Sequence, residues 1–279
     1  VEILKTPAEL RRALGPWDPG LVPTMGALHD GHLSLIERSA AENDRTVVSI
    51  FVNPLQFNDA RDLAAYPRTF ERDVELAAKA GANFVFAPTN ETLYPAGFAT
   101  SVSVSGLTQR WEGAVRPGHF AGVTTVVCKL FTLVNPARSY FGEKDFQQLA
   151  VVRRMHADLN LPGEIIGCVT VRDRDGLALS SRNARLTPGQ RAIAAVVPRA
   201  LFTMRDFARG GVRNAEVVIE QGLQLLKAES AVTVDYLTIV DPETLDPVKT
   251  VSTGSRALIA VRLGAIRLID NLDLLAPPA

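Results

Sequence analysis

The sequence predicts an α/β protein: a Rossmann-like parallel sheet with flanking helices, then a smaller α+β domain. Three observations predict it. Short, continuously apolar runs alternate with helical patterns over the first 170 residues. Near residue 170 the alternation stops, and helices are followed by strands. A turn rich in glycine and histidine follows the first apolar run, where an open parallel sheet keeps its ligand crevice. The expected domains are 1–170, Rossmann-like, and 171–279, α+β.

The first strand is expected at about Gly20–Thr24, and the helix "DGHLSLIERSAAEN" near Gly31. "RTVVSIFVN" (Arg45–Asn53) is β-branched and too continuous for a sheet with one wet face. "TFERDVELAAKAGA" reads as a helix and "ANFVFAP" (Ala82–Pro88) as the next strand. In "FAGVTTVVCKLFTLV", Phe120, Val123, Val127, Leu130, Phe131 and Val134 fall at spacings of three and four, one face of a helix that stops at "NP". "RSYFG" (Arg138–Gly142) is a third strand of this kind. Strands buried on both faces and separated by helices imply right-handed βαβ crossovers. Beyond 170, "TPGQRAIAAVVPRALFTMRDFARGG" reads as a helix kinked at Pro198, and "NAEVVIEQGLQLLKAE" as another. "AVTVDYLTIVD" is a strand, and "RALIAVRLG" and "AIRLIDNL" form a hairpin about Gly264.

Of 279 residues 47% are apolar, enough for a substantial core. Thirty basic residues balance thirty acidic ones, so no global basic field is available to hold nucleic acid. No apolar run approaches the ~20 residues that span a bilayer. The charged start "VEILKTPAEL" lacks a signal-peptide core. The expectation is a cytoplasmic protein with neither a nucleic-acid nor a membrane partner. Cys128 and Cys168 stand among apolar residues without a CxxC pair, which predicts two buried free thiols and no structural zinc. Only six lysines occur, so a functional lysine has few candidates.

The chain has four histidines, and "PTMGALHDGH" (Pro23–His32) holds two of them. It occupies the first βα turn. A helix N-terminus carries N–H groups and partial positive charge that suit a phosphate. Gly26 and Gly31 would let a nucleotide approach the backbone. His29 and His32 could both donate to phosphate oxygens. The bland alternative is a pair of turn glycines with two ordinary histidines. Neither GxGxxG nor GxxxxGK[ST] is present, so neither a dinucleotide fold nor a Walker loop is indicated.

HxGH after a first strand resembles the signature of the HIGH-motif nucleotidyltransferases and class I aminoacyl-tRNA synthetases. Six segments narrow the resemblance. "PTMGALHDGHLSLI", "SIFVNPLQF", "YPRT", "RPGHFAGV", "FGEKDFQQL" and "LALSSRN" together, in this order, resemble the pantoate–β-alanine ligases. That family joins pantoate to β-alanine through a pantoyl adenylate, releasing AMP and pyrophosphate, with magnesium. The resemblance implies a homodimer in which residues 1–170 bind nucleotide and pantoate and 171–279 form a lid.

It also implies roles. Met25, Gly26, Ala27, Leu28, His29, Asp30, Gly31 and His32 would form the first ATP segment, with His29 and His32 catalytic. Gly142, Glu143, Lys144 and Asp145 would form the second, with Lys144 catalytic on phosphate and Asp145 on the ribose. Val171 would line the adenine pocket. Leu179, Ser180, Ser181 and Arg182 would reach the triphosphate, Arg182 being the fourth catalytic residue. Many members carry Met where this chain has Leu179, a swap of similar volume. Gln56 and Gln148 would bind pantoate, and Gln56 also β-alanine. The plainer alternative for Gln148 is a capping box with Asp145, three residues earlier. Ser180 and Ser181 alone would pass for a serine turn. Arg72 departs from the acidic residues common in the family, so no metal ligand is assigned to Arg72 or Asp73. Glu112, Arg116 and His119 read equally as a lid or as plain loop. Two rivals remain on the residues themselves: a nucleotidyltransferase that stops after nucleotide transfer, and a nucleotide-binding module without turnover. Gln56, Gln148 and the whole "LSSRN" segment favour the ligase. The missing anticodon domain disfavours tRNA charging.

Overall fold

The computed structural model describes residues 1–276, so 277–279 of the expected second domain lie outside the described residues. The chain divides into two compact units. One comprises Val1–Gly142 with Gln147–Val169; the other comprises Glu143–Phe146 with the chain from Thr170.

The first unit is built on six strands: β1 (Glu2–Leu4), β2 (Pro19–Thr24), β3 (Arg45–Ile50), β4 (Phe84–Phe86), β5 (Arg138–Gly142) and β6 (Glu164–Cys168). They pair in parallel throughout, in the order β1-β4-β3-β2-β5-β6. Parallel neighbours need crossovers, which is why helices separate the apolar runs. Successive strand residues enter opposite cores. Leu21, Val47 and Phe86 pack with Phe131 and Val127 of the helix His119–Val134. Val22, Val48 and Val85 pack with Leu35 and Ile36 of the helix Asp30–Glu42. Both faces are covered, so the strands read as unbroken apolar runs. The two edge strands, β1 and β6, lacked that signature and were not anticipated.

The chain lays down β2, β3 and β4 outward in one direction, then returns to place β5 on the other side of β2. The carboxyl ends of β2 and β5 therefore mark a topological switch point, the expected ligand crevice of such a sheet. "PTMGALHDGH" continues from β2, and "GEKD" from β5.

The second unit packs the helices Val196–Arg209 and Ala215–Lys227 on an antiparallel sheet of β7 (Val232–Val240), β8 (Arg256–Leu263) and β9 (Ile266–Asp273). Its core includes Leu201, Met204, Val218, Ile259 and Val261. Gly264 makes the β8–β9 turn at φ +61°. One expectation needs correction. The long helix does not kink at Pro198; it stops at Ala194 and restarts at Val196. Pro198 is then the third residue of the new helix, in a first turn where a missing N–H leaves no intrahelical bond broken. Both cysteines are free thiols; Cys168 is buried and Cys128 half-buried.

Candidate active site

The first turn is held by an anion. Asp73, 1% exposed, accepts the amides of Ala27 and Leu28 at 2.8 Å each and the Thr69 hydroxyl at 3.1 Å. Ala27 is at φ +51°, a left-handed conformation that costs an alanine about 1 kcal/mol. Gly26, at φ +82°, needs to be glycine: a Cβ there would lie 2.9 Å from the Asp73 carboxylate. Thr24 ties the turn to β3 by donating to the Ser49 carbonyl at 2.7 Å and accepting the Gly26 amide at 3.1 Å. Two amides of the turn thus serve the protein's own carboxylate. What the turn offers an outside phosphate is the helix start at Asp30 and the imidazoles.

His29 is the residue before that helix, in extended backbone, and His32 is its third residue. Three-residue spacing puts the two on one face. Their rings lie 4.1 Å apart, tilted by 35°, and both side chains are half-buried. Leu28 differs: its side chain is in the core, so it can serve a ligand only through its backbone.

Gln56 lies on a short 3-10 turn, Pro54–Gln56, and is 7% exposed. Its amide is oriented by Asn53, 1% exposed, whose Nδ2 donates to Gln56 Oε1 at 3.1 Å and to the Gly122 carbonyl at 3.0 Å. The Tyr94 hydroxyl donates to Asn53 Oδ1 at 2.9 Å. Burial pushes that phenol up to about 12, so it stays a donor at neutral pH. Gln56 Nε2 points at Met25 Sδ, 3.0 Å away. Gly122 lets the helix His119–Val134 close on this turn, because a Cβ there would strike the Leu55 carbonyl. The Gln56 carbonyl accepts from Arg116 at 3.3 Å and from His119 Nδ1 at 2.7 Å. Arg116 also lies 3.1 Å from His119 Nε2. A guanidinium only donates, so Nε2 accepts and His119 carries its proton on Nδ1. Arg116 and His119, left open by the sequence, therefore hold Gln56 in place.

Gln147 is 5% exposed and spent on structure: it accepts the Glu112 amide at 3.0 Å and donates to the carbonyls of Leu107 and Arg110 at 2.8 and 2.9 Å. Gln148, its neighbour on the helix Phe146–Asp158, is half-buried.

In the second unit Glu143, Lys144 and Asp145 form one 3-10 turn, and Ser181 and Arg182 begin another, Ser181–Arg185. Lys144, Ser180 and Arg182 line one cavity, together with Asn183, Arg267 and Asp270. Ser180 caps its turn by accepting the Arg182 amide at 3.3 Å. Lys144 Nζ lies 3.7 Å from Asp145, a loose pair. Val171 and Leu179 are joined across a small loop by a 3.0 Å backbone bond. Within it, Arg191 of the helix Pro188–Ala194 pairs with Asp173 and Asp175, holding both carboxylates below the usual aspartate range. Asn53 and, in the second unit, Asn271 were missed by the sequence reading, which named Asp73 but gave it no role. Asp73 and Asn271 work through contacts more than a dozen residues away. Asn53 ties Gln56 to Gly122 and Tyr94, 69 and 41 positions off; local spacing does not register such contacts.

The family model described as pantoate-beta-alanine ligase matches residues 2–273. A pantothenate synthetase of Thermus thermophilus is 54% identical over 271 residues, covering 97% of this chain and 98% of that protein. One from Deinococcus radiodurans is 53% identical, covering 93% and 94%. The crystal structure of the Thermus thermophilus pantothenate synthetase superposes with a TM-score of 0.96 at 52% identity, covering 98% of this chain and 99% of that one. That of the Francisella tularensis pantoate-beta-alanine ligase, complexed with beta-gamma ATP and beta-alanine, gives 0.83 at 32% identity, with both chains fully covered.

Proposed function

The chain belongs to the pantoate–β-alanine ligase family, and on that premise we infer that it condenses pantoate with β-alanine using ATP. The observation that carries the reading is the pair His29 and His32, 4.1 Å apart at the carboxyl end of the switch-point strand β2. A carboxylate resists attack by an amine because its leaving group would be oxide. In the first step a pantoate carboxylate oxygen bonds to the α-phosphorus of ATP and the bond to pyrophosphate breaks. Such a displacement needs alignment and charge stabilisation more than covalent help. His29, His32, Lys144 and Arg182 supply donors and positive charge to the phosphates, and Ser180 and Ser181 supply hydroxyls. In the second step the β-alanine nitrogen bonds to the acyl carbon, the bond to AMP breaks, and the nitrogen loses a proton. Gln56 and Gln148 hold pantoate by donating and accepting without adding charge, and Gln56 also meets β-alanine.

Among the described residues no group of three or more His, Cys, Asp or Glu gathers to hold a metal. A magnesium ion carried on ATP's phosphate oxygens would need no such cage. When bound, it neutralises the leaving pyrophosphate. In this reading residues 1–170 bind nucleotide and pantoate, and 171–279 act as a lid that keeps water from the anhydride. The enzyme is a cytoplasmic homodimer, the assembly being checked by sedimentation. No described helix is long and apolar enough to cross a membrane.

One assay tests the function. With ATP, magnesium, pantoate and β-alanine, the protein should yield AMP, pyrophosphate and pantothenate in equal amounts. With pantoate but no β-alanine it should still exchange pyrophosphate into ATP. Exchange that requires β-alanine would replace the adenylate route with a concerted one.

A further inference from the structure

The tetrapeptide Glu143–Phe146 leaves the strand β5 of the first unit but packs with the second. The contacts that hold it fall on Glu143, Lys144 and Phe146. Asn271, on β9 and 4% exposed, donates both protons of its amide, one to the Glu143 carbonyl and one to the Lys144 carbonyl, each at 2.8 Å. Its Oδ1 accepts from Arg256 at 2.7 Å. The amide cannot flip, because its two carbonyl partners only accept and the guanidinium only donates. Arg256, facing β9 from β8, also reaches Glu143 Oε2 at 3.2 Å and covers the Phe146 ring at 4.0 Å.

The two carbonyls that Asn271 holds belong to the peptide groups on either side of the Lys144 Cα. Two soft dihedrals separate those planes. Fixing both planes fixes φ and ψ of Lys144 together, and so aims its Cα–Cβ bond. A lysine is a point charge on a flexible stem, so whatever aim it has must come from its backbone. Lys144 lines the same cavity as Ser180 and Arg182.

We infer that Asn271 is a positioning residue for adenylation, acting through Lys144, with Arg256 as its support. The inference rests on the reading of Lys144 as a phosphate-binding residue. A hub that merely stabilised the second unit would slow the enzyme whether or not Lys144 was present. A positioning residue loses its effect once the lysine is gone.

The test is a double-mutant cycle read by pyrophosphate–ATP exchange. Asn271→Ala should lower the exchange kcat at least tenfold, with the KM for pantoate changed less than twofold. In a Lys144→Ala background the same substitution should change the rate less than twofold. An equal fall in both backgrounds, or a normal rate in Asn271→Ala, overturns the inference. Should Asn271→Ala not fold, Arg256→Gln takes its place; it keeps a hydrogen-bonding group beside Glu143 and should show the same dependence on Lys144 with a smaller, roughly threefold, loss. Lys144→Ala alone separates the two claims. A normal rate in that variant overturns the phosphate reading and the inference together. A slow Lys144→Ala enzyme without coupling to Asn271 overturns the inference only.

Discussion

The Asp73 carboxylate accepts the backbone amide of Ala27 across 46 positions of sequence, at 2.8 Å, and holds Ala27 in a left-handed conformation. The anion sits under the turn that leads to His29 and His32. Asp73→Ala leaves the amides of Ala27 and Leu28 without their acceptor, at about 1–3 kcal/mol apiece, and lets Ala27 relax. The exchange rate should fall at least tenfold and the melting temperature should drop. Asp73→Asn should lie between, since its amide can accept one N–H while presenting a donor to the other. Normal exchange in Asp73→Ala would mean that the turn keeps its shape without the clamp.

His29→Ala and His32→Ala should each slow adenylation while leaving the fold intact, because both side chains are only half-buried. A donor used mainly in the transition state is worth on the order of a hundredfold in rate. Circular dichroism and pyrophosphate exchange check the pair. A double variant with normal adenylation would remove them from the mechanism.

Three glutamine variants decide what Gln148 does. As a cap for the helix Phe146–Asp158, Gln148→Glu would keep or raise stability by about 0.3–1 kcal/mol and leave activity unchanged. As a pantoate ligand, the new carboxylate faces an anionic substrate, so pantoate saturation should be lost at normal stability with ATP binding kept. Gln56→Glu should behave the same way at the pantoate site. Gln147→Glu should instead lose stability, because the buried Gln147 donates through Nε2 to the carbonyls of Leu107 and Arg110. Melting temperature and pantoate dependence measured on all three give the answer; a pantoate-saturable Gln148→Glu enzyme is a capped helix and nothing more.

The Asp173–Arg191–Asp175 cluster predicts a pH effect on the loop between Val171 and Leu179. Hydrogen bonds from Arg191 lower both carboxyl pKa values in the folded chain. Groups depressed on folding contribute stability above their unfolded pKa and lose it as pH falls through the folded one. Amide protection across 172–178 should therefore be full at pH 6 and decline below about pH 4, the ordinary aspartate range. Arg191→Ala should lower protection at pH 6 and flatten the decline. A decline of the same shape in that variant would assign it to other carboxylates.

The sequence by itself determined the fold class and the family. Strands buried on both faces, such as Arg45–Ile50, announce a parallel sheet, because an unbroken apolar run fits nothing with a wet face. HxGH after β2 announces the crevice, and six ordered motifs announce the ligase family that the comparisons bear out. Adjacent helix residues such as Gln147 and Gln148 point about 100° apart, and the structure gives Gln147 its structural bonds. What only the tertiary structure decided lies in contacts between distant residues. Asp73 is one aspartate among many until β2 and the helix Phe70–Lys79 bring its carboxylate under Ala27. Arg116 and His119 read equally as lid or loop until they close on the Gln56 carbonyl. Asn271 carries no signal at all in "LIDNL", yet it fixes the backbone around Lys144, 127 positions away. Periodicity reports which face of an element is buried, since that depends on neighbours three or four residues apart. Which buried polar group meets which backbone amide or carbonyl depends on how elements pack, and that is settled only when the chain has folded.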